Sequence, residues 1–372
     1  MGLAFFGLLV LGLSIWTWID RSPGWGYDFR AYYDAALRLI ATGSPYQVET
    51  LAGPFRPGPF GLYLYSPVVA VLFVPLTMLG QSSAILVWLA LRVAALALMC
   101  ALMPIPRQVR LAVFGVAALS APVLFDLDLG NVSLLVTLLA VLVWRWLDRP
   151  LGAIALAASL TVRPTMALIG AWWLLRGRWR PLALTAAAGI AIVLLSLVWV
   201  PLDLWFQYLT VLLHVSNVTG VRANVDLGSA VLLIGGPASL AQVALYAGYA
   251  LAAGAVLLSL RRDRELSFVV TLMATLLLSP LLWDHYLTNL LIPAAFLAAR
   301  GRRWALILPL LCWWPQILVL AFPALRGVAD GVLAPIAVAG LLLPFAAPDA
   351  GEHAGSFVTR LPRRWSRRSA RA

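Results

Sequence analysis

Four polar clusters interrupt a chain that is otherwise 62% hydrophobic, and each carries residue types that could do chemistry. The first is Tyr27-Asp28-Phe29-Arg30-Ala31-Tyr32-Tyr33, at the junction of an apolar run and an amphipathic stretch. Asp28 admits two roles there. As the residue before a helix it can cap free backbone N–H groups. As a carboxylate ionised at neutral pH it can take a hydroxyl proton while that hydroxyl attacks an electrophilic carbon. Asp34 is the rival carboxylate, and its position favours water or Arg38 one helical turn on. The second cluster is Ser279-Pro280-Leu281-Leu282-Trp283-Asp284-His285-Tyr286. His285, one of three histidines, adjoins a carboxylate and two aromatic rings. That set fits either an interfacial aromatic cluster or a site for a polar headgroup or sugar, with ring faces for stacking.

The third is Arg163-Pro164, a cation at the end of a short apolar run. Ionisable groups at membrane depth are costly and mark function by default. A guanidinium presents several donors in a fixed fork and suits a phosphate; the structural alternative is an ion pair with Asp126 or Asp128. Arg92, in the middle of an apolar run, poses the same question; a carboxylate inside the bundle is one candidate partner, and the sequence assigns it no role. The fourth is Asp126-Leu127-Asp128-Leu129-Gly130-Asn131, whose paired acids are weak evidence for a metal, while Asn131 supplies a polar contact at the next helix start. Asn224-Val225-Asp226-Leu227-Gly228-Ser229 is polar and otherwise unspecific. Phosphate-loop, metalloprotease-helix and nucleophile-elbow patterns are absent from the sequence.

The elements that must position these residues follow from hydropathy and charge. Charged residues are 11% and the mean hydropathy is +0.92, against about 25% charged in a soluble domain. An all-α bundle of membrane helices is therefore expected. A bilayer core needs about 20 apolar residues per helix, and clear spans cover 2–19, 82–103, 181–201, 239–260 and 304–321. Shorter runs cover 111–125, 151–162, 165–175, 266–279 and 287–299; short or broken helices of this kind line cavities. About twelve spans in all are expected. The run from 67 to 79 is too short to cross and is expected as a re-entrant or surface helix within an outer loop covering 20–80. A helix ending near Thr42, stopped by Gly43-Ser44-Pro45, precedes it, with a Pro/Gly-rich piece over 53–61 between them.

All 27 basic residues are arginine, and 19 of them fall in alternate gaps between the apolar runs. Ten of the 15 acids fall in the other gaps. Because positive loops stay in the cytoplasm, both termini are expected there, with the polar clusters on the opposite face. The transmembrane domain is placed at 1–348 and an Arg-rich, disordered cytoplasmic tail at 349–372. The pI near 10.6 does not imply nucleic acid, since the arginines sit in short loops flanking apolar runs. Cys100 and Cys312 lie in apolar runs and imply no disulfide framework.

These clusters, in this order, resemble the integral-membrane glycosyltransferases of the GT-C class. The nearest likeness is to glycosyltransferase family 87, the polyprenyl-phosphate-mannose-dependent mannosyltransferases. Asp28 to Tyr32 looks like that family's catalytic first outer loop, and Gly43-Ser44-Pro45-Tyr46 is similar to its Gly-x-x-x-Tyr turn. Tyr65-Ser66-Pro67 resembles its Tyr-Pro-Pro, and Gly130-Asn131 its Gly-Gln or Gly-Asn. Arg163 falls where a Lys or Arg is usual. Ser279-Pro280-x-x-Trp283-x-His285 resembles its Ser-Pro-x-x-Trp-x-His, with Tyr286 in place of a second His. The resemblance spans about residues 1–300.

The resemblance implies an inverting transfer of one sugar, mannose or another, from a polyprenyl monophosphate to a glycolipid or glycan hydroxyl. Transfer would take place on the outer face of the plasma membrane, without metal or other cofactor. Asp28 would be the base. Arg163 first, and His285 second, would stabilise the leaving phosphate. Trp283, Asp284, Tyr65 and Asn131 would contact the donor, with Tyr32, Asp34 and Asp128 in support. Two other classes compete. A secondary transporter would show inverted repeats and a charged site at the midplane, and a lipid flippase would tolerate loss of Asp28.

Overall fold

The computed structural model describes residues 1–21, 25–53, 63–215, 224–322 and 330–347, which are helical wherever they are regular. The tail beyond 348 and most of the Pro/Gly-rich piece at 53–61 lie outside the described residues. The chain opens with a long apolar helix, α1 (Gly2–Arg21), and then a compact outer group: α2 (Tyr27–Thr42), α3 (Val48–Ala52) and α4 (Pro67–Thr77). α2 buries Phe29, Ala31, Tyr32, Tyr33, Ala35 and Ala36 and exposes Leu37 and Ile40. It ends at Gly43, whose φ of 79° lets its N–H reach the Leu39 carbonyl, a left-handed cap that glycine adopts without Cβ strain. α4 starts with proline at its first position and has 11 residues. That is about 16 Å of helix, half of a roughly 30 Å hydrocarbon core.

α5 (Gln81–Leu102) is a full-length span; α6 (Arg107–Leu119) and α7 (Ala121–Leu129) meet at a 60° bend. One short helix over 111–125 was expected, and the structure breaks it at Ser120. Pro122, in the first turn of α7, has no N–H to continue the preceding helix. α8 (Ser133–Arg145), α9 (Pro150–Val162) and α10 (Ala167–Leu175) follow, then the longer α11 (Trp179–Ser196). Next come α12 (Leu202–Val215), α13 (Leu227–Leu233), α14 (Ala238–Ser259) and α15 (Arg264–Leu277). A 3-10 helix, Asp284–Leu290, leads into α16 (Leu291–Ala299). A second 3-10 stretch, Arg303–Trp313, runs into α17 (Trp314–Ala321), and α18 (Leu333–Leu342) closes the described chain.

Among the described residues five helical stretches are long and apolar enough to cross a membrane: α1, α5, α11, α14 and Arg303–Ala321. The bent α6–α7 pair makes a sixth if it is one span. The five coincide with the five clear expected spans. By length and composition alone five or six crossings pass among the described residues; an expected count of about twelve would need the shorter apolar helices, α8 and α9 among them, to cross as well. The long helices show apolar side chains outward, such as Phe5 and Phe6 on α1 and Leu194 and Leu195 on α11. By contrast, α15 is buried at every position from Leu266 to Leu277, and α16 from Leu291 to Ala298. Helices apolar all round belong inside a bundle, so these two need not match the bilayer thickness.

The arginine-rich loops gather at one end. Arg145 Nη1 donates to the Leu102 carbonyl at 3.0 Å. Asp148 receives both Arg178 and Arg264, and Arg300 lies 3.3 Å from Asp263 and 3.4 Å from Glu265. At the other end α2, α4 and α12 enclose an aromatic cluster that includes Tyr32, Tyr46, Tyr63, Phe73 and Trp88. α12 packs Tyr208 and Val211 against it and turns Leu202, Phe206, Leu209 and Leu213 outward. Asn224 and Asp226 have structural roles here. Asn224 Oδ1 accepts from Leu282 N at 2.9 Å, and Asp226 caps α13 by accepting from Ser229 N at 2.8 Å.

Candidate functional site

The site is assembled where four segments meet: the start of α2, the turn between α7 and α8, the end of α9, and the 3-10 helix Asp284–Leu290. Two glycines allow the approach of the first two. Gly26, with φ 74°, precedes α2 and donates its N–H to the Asp128 carbonyl at 2.8 Å. Gly130, with φ 80°, ends α7, and a Cβ there would lie 2.6 Å from Phe29 Cβ and 3.1 Å from Phe29 N. Both positions need the left-handed region, and Gly130 also has α2 backbone in the way of any side chain.

Gly26 is the N-cap of α2, so the capping role considered for Asp28 does not hold. Asp28 sits inside the first turn, where the positive helix terminus favours a carboxylate. Its Oδ2 accepts from Asn131 Nδ2 at 2.8 Å. The same amide nitrogen lies 3.2 Å from the Tyr32 hydroxyl, and Tyr32 donates to the Tyr65 hydroxyl at 3.1 Å. Asn131 Oδ1 accepts from Ser133 N at 2.9 Å and from Ser133 Oγ at 2.8 Å. Arg163 Nη2 in turn donates to Ser133 Oγ at 2.8 Å. One hydrogen-bonded chain thus joins the carboxylate of Asp28 to the guanidinium of Arg163.

Arg163 is 5% exposed and stacks on the Tyr286 ring, its central carbon 3.6 Å from the ring centroid. Its Nη1 is buried without a hydrogen-bond partner, and so is Nε2 of His285. His285 Nδ1 faces Asp284 Oδ1 at 3.2 Å, which leaves the opposite ring nitrogen for a ligand. A buried donor without a partner is costly, so the free Nη1 of Arg163 fits an anionic oxygen, and Nε2 of His285 would join it as a donor when the ring is protonated. Tyr65 is held in place from behind, its carbonyl accepting from the Tyr46 hydroxyl at 2.9 Å. Ser66 N meets the Thr161 carbonyl at 3.3 Å, which lays this segment across the end of α9.

Burial pushes the Asp28 carboxyl above its ordinary range, against the opposing pull of His285 and the Asn131 hydrogen bond. Burial also raises the phenols of Tyr32 and Tyr65 well above their usual value, so both remain neutral donors.

The structure therefore brings together Asp28, Tyr32, Tyr65, Asn131, Arg163, Asp284 and His285. Trp283 begins the same 3-10 turn, its carbonyl accepting from Tyr286 N at 2.9 Å. Asp128 contributes through its carbonyl to Gly26. Asp34 stands apart: it is half-buried on α2 and faces the charges of Arg38 and Arg30. The alternative partner of Arg163 is excluded for Asp126, which pairs with Arg92 at 3.7 Å inside the bundle. No group of three or more potential metal ligands occurs among the described residues. Sequence reasoning missed Ser133, the link between Asn131 and Arg163. The Asn131-x-Ser133 spacing before a helix was its only signal.

The comparisons bear on this arrangement directly. The family model for glycosyltransferase family 87 matches residues 63–282, which is more than half of the chain and includes Tyr65, Asn131, Ser133 and Arg163. Asp28 and His285 lie on either side of the matched range. No curated protein matches the chain. With its apolar helices and a match of this extent, the chain belongs to glycosyltransferase family 87.

Proposed function

We propose that this membrane glycosyltransferase moves one sugar, mannose in the first instance, from a polyprenyl monophosphate to a glycolipid or glycan hydroxyl on the extracytoplasmic face of the plasma membrane. The observation that carries the proposal is the chain Asp28–Asn131–Ser133–Arg163, a carboxylate and a cation held on one rigid relay. Asp28 accepts the proton of the acceptor hydroxyl as its oxygen attacks the anomeric carbon. The bond from that carbon to the phosphate oxygen breaks, and the phosphate leaves with added negative charge. Arg163 Nη1 and His285 Nε2 receive that charge, an interaction stronger in the transition state than in the ground state. A single displacement with one base inverts the anomeric centre, and the transition state is oxocarbenium-like.

Depth supports a lipid-borne donor. α8 and α9 have 13 residues each and run between the arginine end and the site. That is about 20 Å of helix against a core of roughly 30 Å. With the arginine loops at the cytoplasmic surface, the site is recessed about 10 Å below the opposite one, where a phosphate arrives most readily on a lipid tail. The proposal is tested in membranes with radiolabelled polyprenyl-phosphate mannose, comparing the wild type with Asp28→Asn. Near-isosteric Asn keeps a polar contact to Asn131 but cannot act as a base. Transfer by the wild type, reduced at least about 10²-fold in the variant at equal protein level, is expected. Equal transfer by both would remove Asp28 from catalysis.

A further inference from the structure

Arg92 is the twelfth residue of the 22-residue α5 and is fully buried. A charge there is costly unless it is paired and hydrogen-bonded. Its Nη1 donates to the Asp126 carbonyl at 2.5 Å and lies 3.7 Å from Asp126 Oδ2; its Nη2 donates to the Leu127 carbonyl at 3.0 Å. One turn earlier on the same face, Trp88 Nε1 donates to the Gly130 carbonyl at 2.8 Å. These carbonyls belong to the last turn of α7 and the residue that ends it, where negative dipole collects; that of Asp126 also accepts from Gly130 N and Asn131 N, each at 3.0 Å. Asp126 extends the clamp: its Oδ1 accepts from Leu134 N, in the first turn of α8, at 3.2 Å. Both flanks of the turn 130–133 are thus pinned to α5, and that turn carries the Asn131 amide that holds Asp28.

We propose that Arg92 is a positioning residue for Asp28, fixing the turn 130–133 through the carbonyls of α7 and through Asp126. This rests on the reading of Asp28 as the base. A purely structural ion pair would hold the bundle together and leave Asp28 indifferent to it. The positioning role makes the placement of Asp28, and the field upon it, depend on Arg92. The charged and titratable groups facing Asp28 are Arg92, Asp126, Asp284, His285, Tyr32, Tyr65 and Tyr286. Of these Arg92 and His285 favour its ionised form.

The test uses the full chain in membranes as wild type, Arg92→Lys, Arg92→Gln, Arg92→Gln with Asp126→Asn, and Asp28→Asn. The double variant leaves neither charge unpaired and so guards against misfolding. Two readouts are taken: kcat and donor KM for transfer, and the pH dependence of Asp28 labelling by dicyclohexylcarbodiimide, which attacks protonated carboxyls. In the double variant kcat is expected to fall about 10²-fold with donor KM within about twofold, the signature of a displaced group and not of weaker binding. Labelling of Asp28 in Arg92→Gln should extend to higher pH, because a cation that favoured its ionised form is gone. Arg92→Lys keeps the charge but loses the fork, so it should retain the wild-type labelling profile while losing kcat. Folded Arg92→Gln with wild-type kcat and an unchanged labelling profile would overturn the inference. If Asp28→Asn transfers as well as the wild type, the base reading fails, and the labelling profile alone then decides whether Arg92 governs Asp28.

Discussion

As the proposed base, the Asp28 carboxylate must be ionised to accept a proton, yet burial favours its neutral form. The compromise is set by neighbours: His285 and the amide of Asn131 stabilise the charge, and Asp284 opposes it. A partly buried base of raised pKa is a stronger proton acceptor as long as it remains ionised at the working pH. The sign of the pH dependence follows. Activity is lost as pH falls through a value above the ordinary carboxylate range, so the acid limb of kcat should lie above that range. Asn131→Ala removes a hydrogen bond to the charged form and should move the limb to still higher pH, with kcat down about tenfold or more at neutral pH. A pH–rate profile of the two proteins checks this, and a limb unmoved by Asn131→Ala would contradict it. The same raised pKa has a stability consequence of opposite character. Its ionisation favours the unfolded state, so Asp28 lowers stability above its folded pKa, and the deficit vanishes below the unfolded value. Asp28→Asn should therefore melt at the same temperature as the wild type or higher at neutral pH, measured in detergent, while transfer collapses.

Gly130 is where an element's geometry decides whether these residues meet. Its φ of 80° ends α7, and Phe29 leaves no space for a Cβ. Gly130→Ala is expected to cost about 1–2 kcal/mol for the left-handed conformation, with about 1–3 kcal/mol more from overpacking against α2. Because the strain falls between Asn131 and Asp28, transfer should drop further than the loss of folded protein accounts for. Thermal midpoint and specific activity of the purified variant separate the two effects. Elements of this kind were only partly legible in the sequence. The five long spans stand out because a bilayer crossing demands an unbroken apolar run, and hydropathy reports that demand. The break at Ser120 was missed because Leu119 and Ala121 are both apolar and only Pro122 marks the bend. Among the site residues, Asp28, Arg163 and His285 stand out as ionisable groups at the edges of apolar runs. The Arg92–Asp126 pairing across 34 positions, and the Ser133 bridge, depend on how helices pack, which one sequence does not display.

Taken as a whole, the molecule is polarised. Arginine-rich loops after α5, α8, α10, α14 and α16 gather at one end, tied by Asp148, Asp263 and Glu265. The relay from Asp28 to Arg163 lies at the other, since α8 and α9 each run from one end to the other. The Asp148 ion pairs are partly exposed, with side chains between 31% and 46% accessible. Exposed pairs contribute about 0–1 kcal/mol, so they do not hold the bundle together. Under the proposed orientation their value is in the sign of the charge, which would keep these loops in the cytoplasm and leave Asp28 facing out. The two native cysteines are buried, so single reporters can be read against little background. A cysteine placed at Arg149 should react with a membrane-impermeant maleimide only after the cells are opened. One placed at Gln47, in the exposed segment after α2, should react in intact cells. Asp148→Asn should leave both patterns and transfer unchanged, because the arginines that set orientation remain. Labelling of both reporters from the same side would break the link between charge and orientation. Labelling of Gln47→Cys only in opened cells would place Asp28 in the cytoplasm, where a soluble nucleotide sugar could serve as donor and the case for a lipid-borne one would lose its main support.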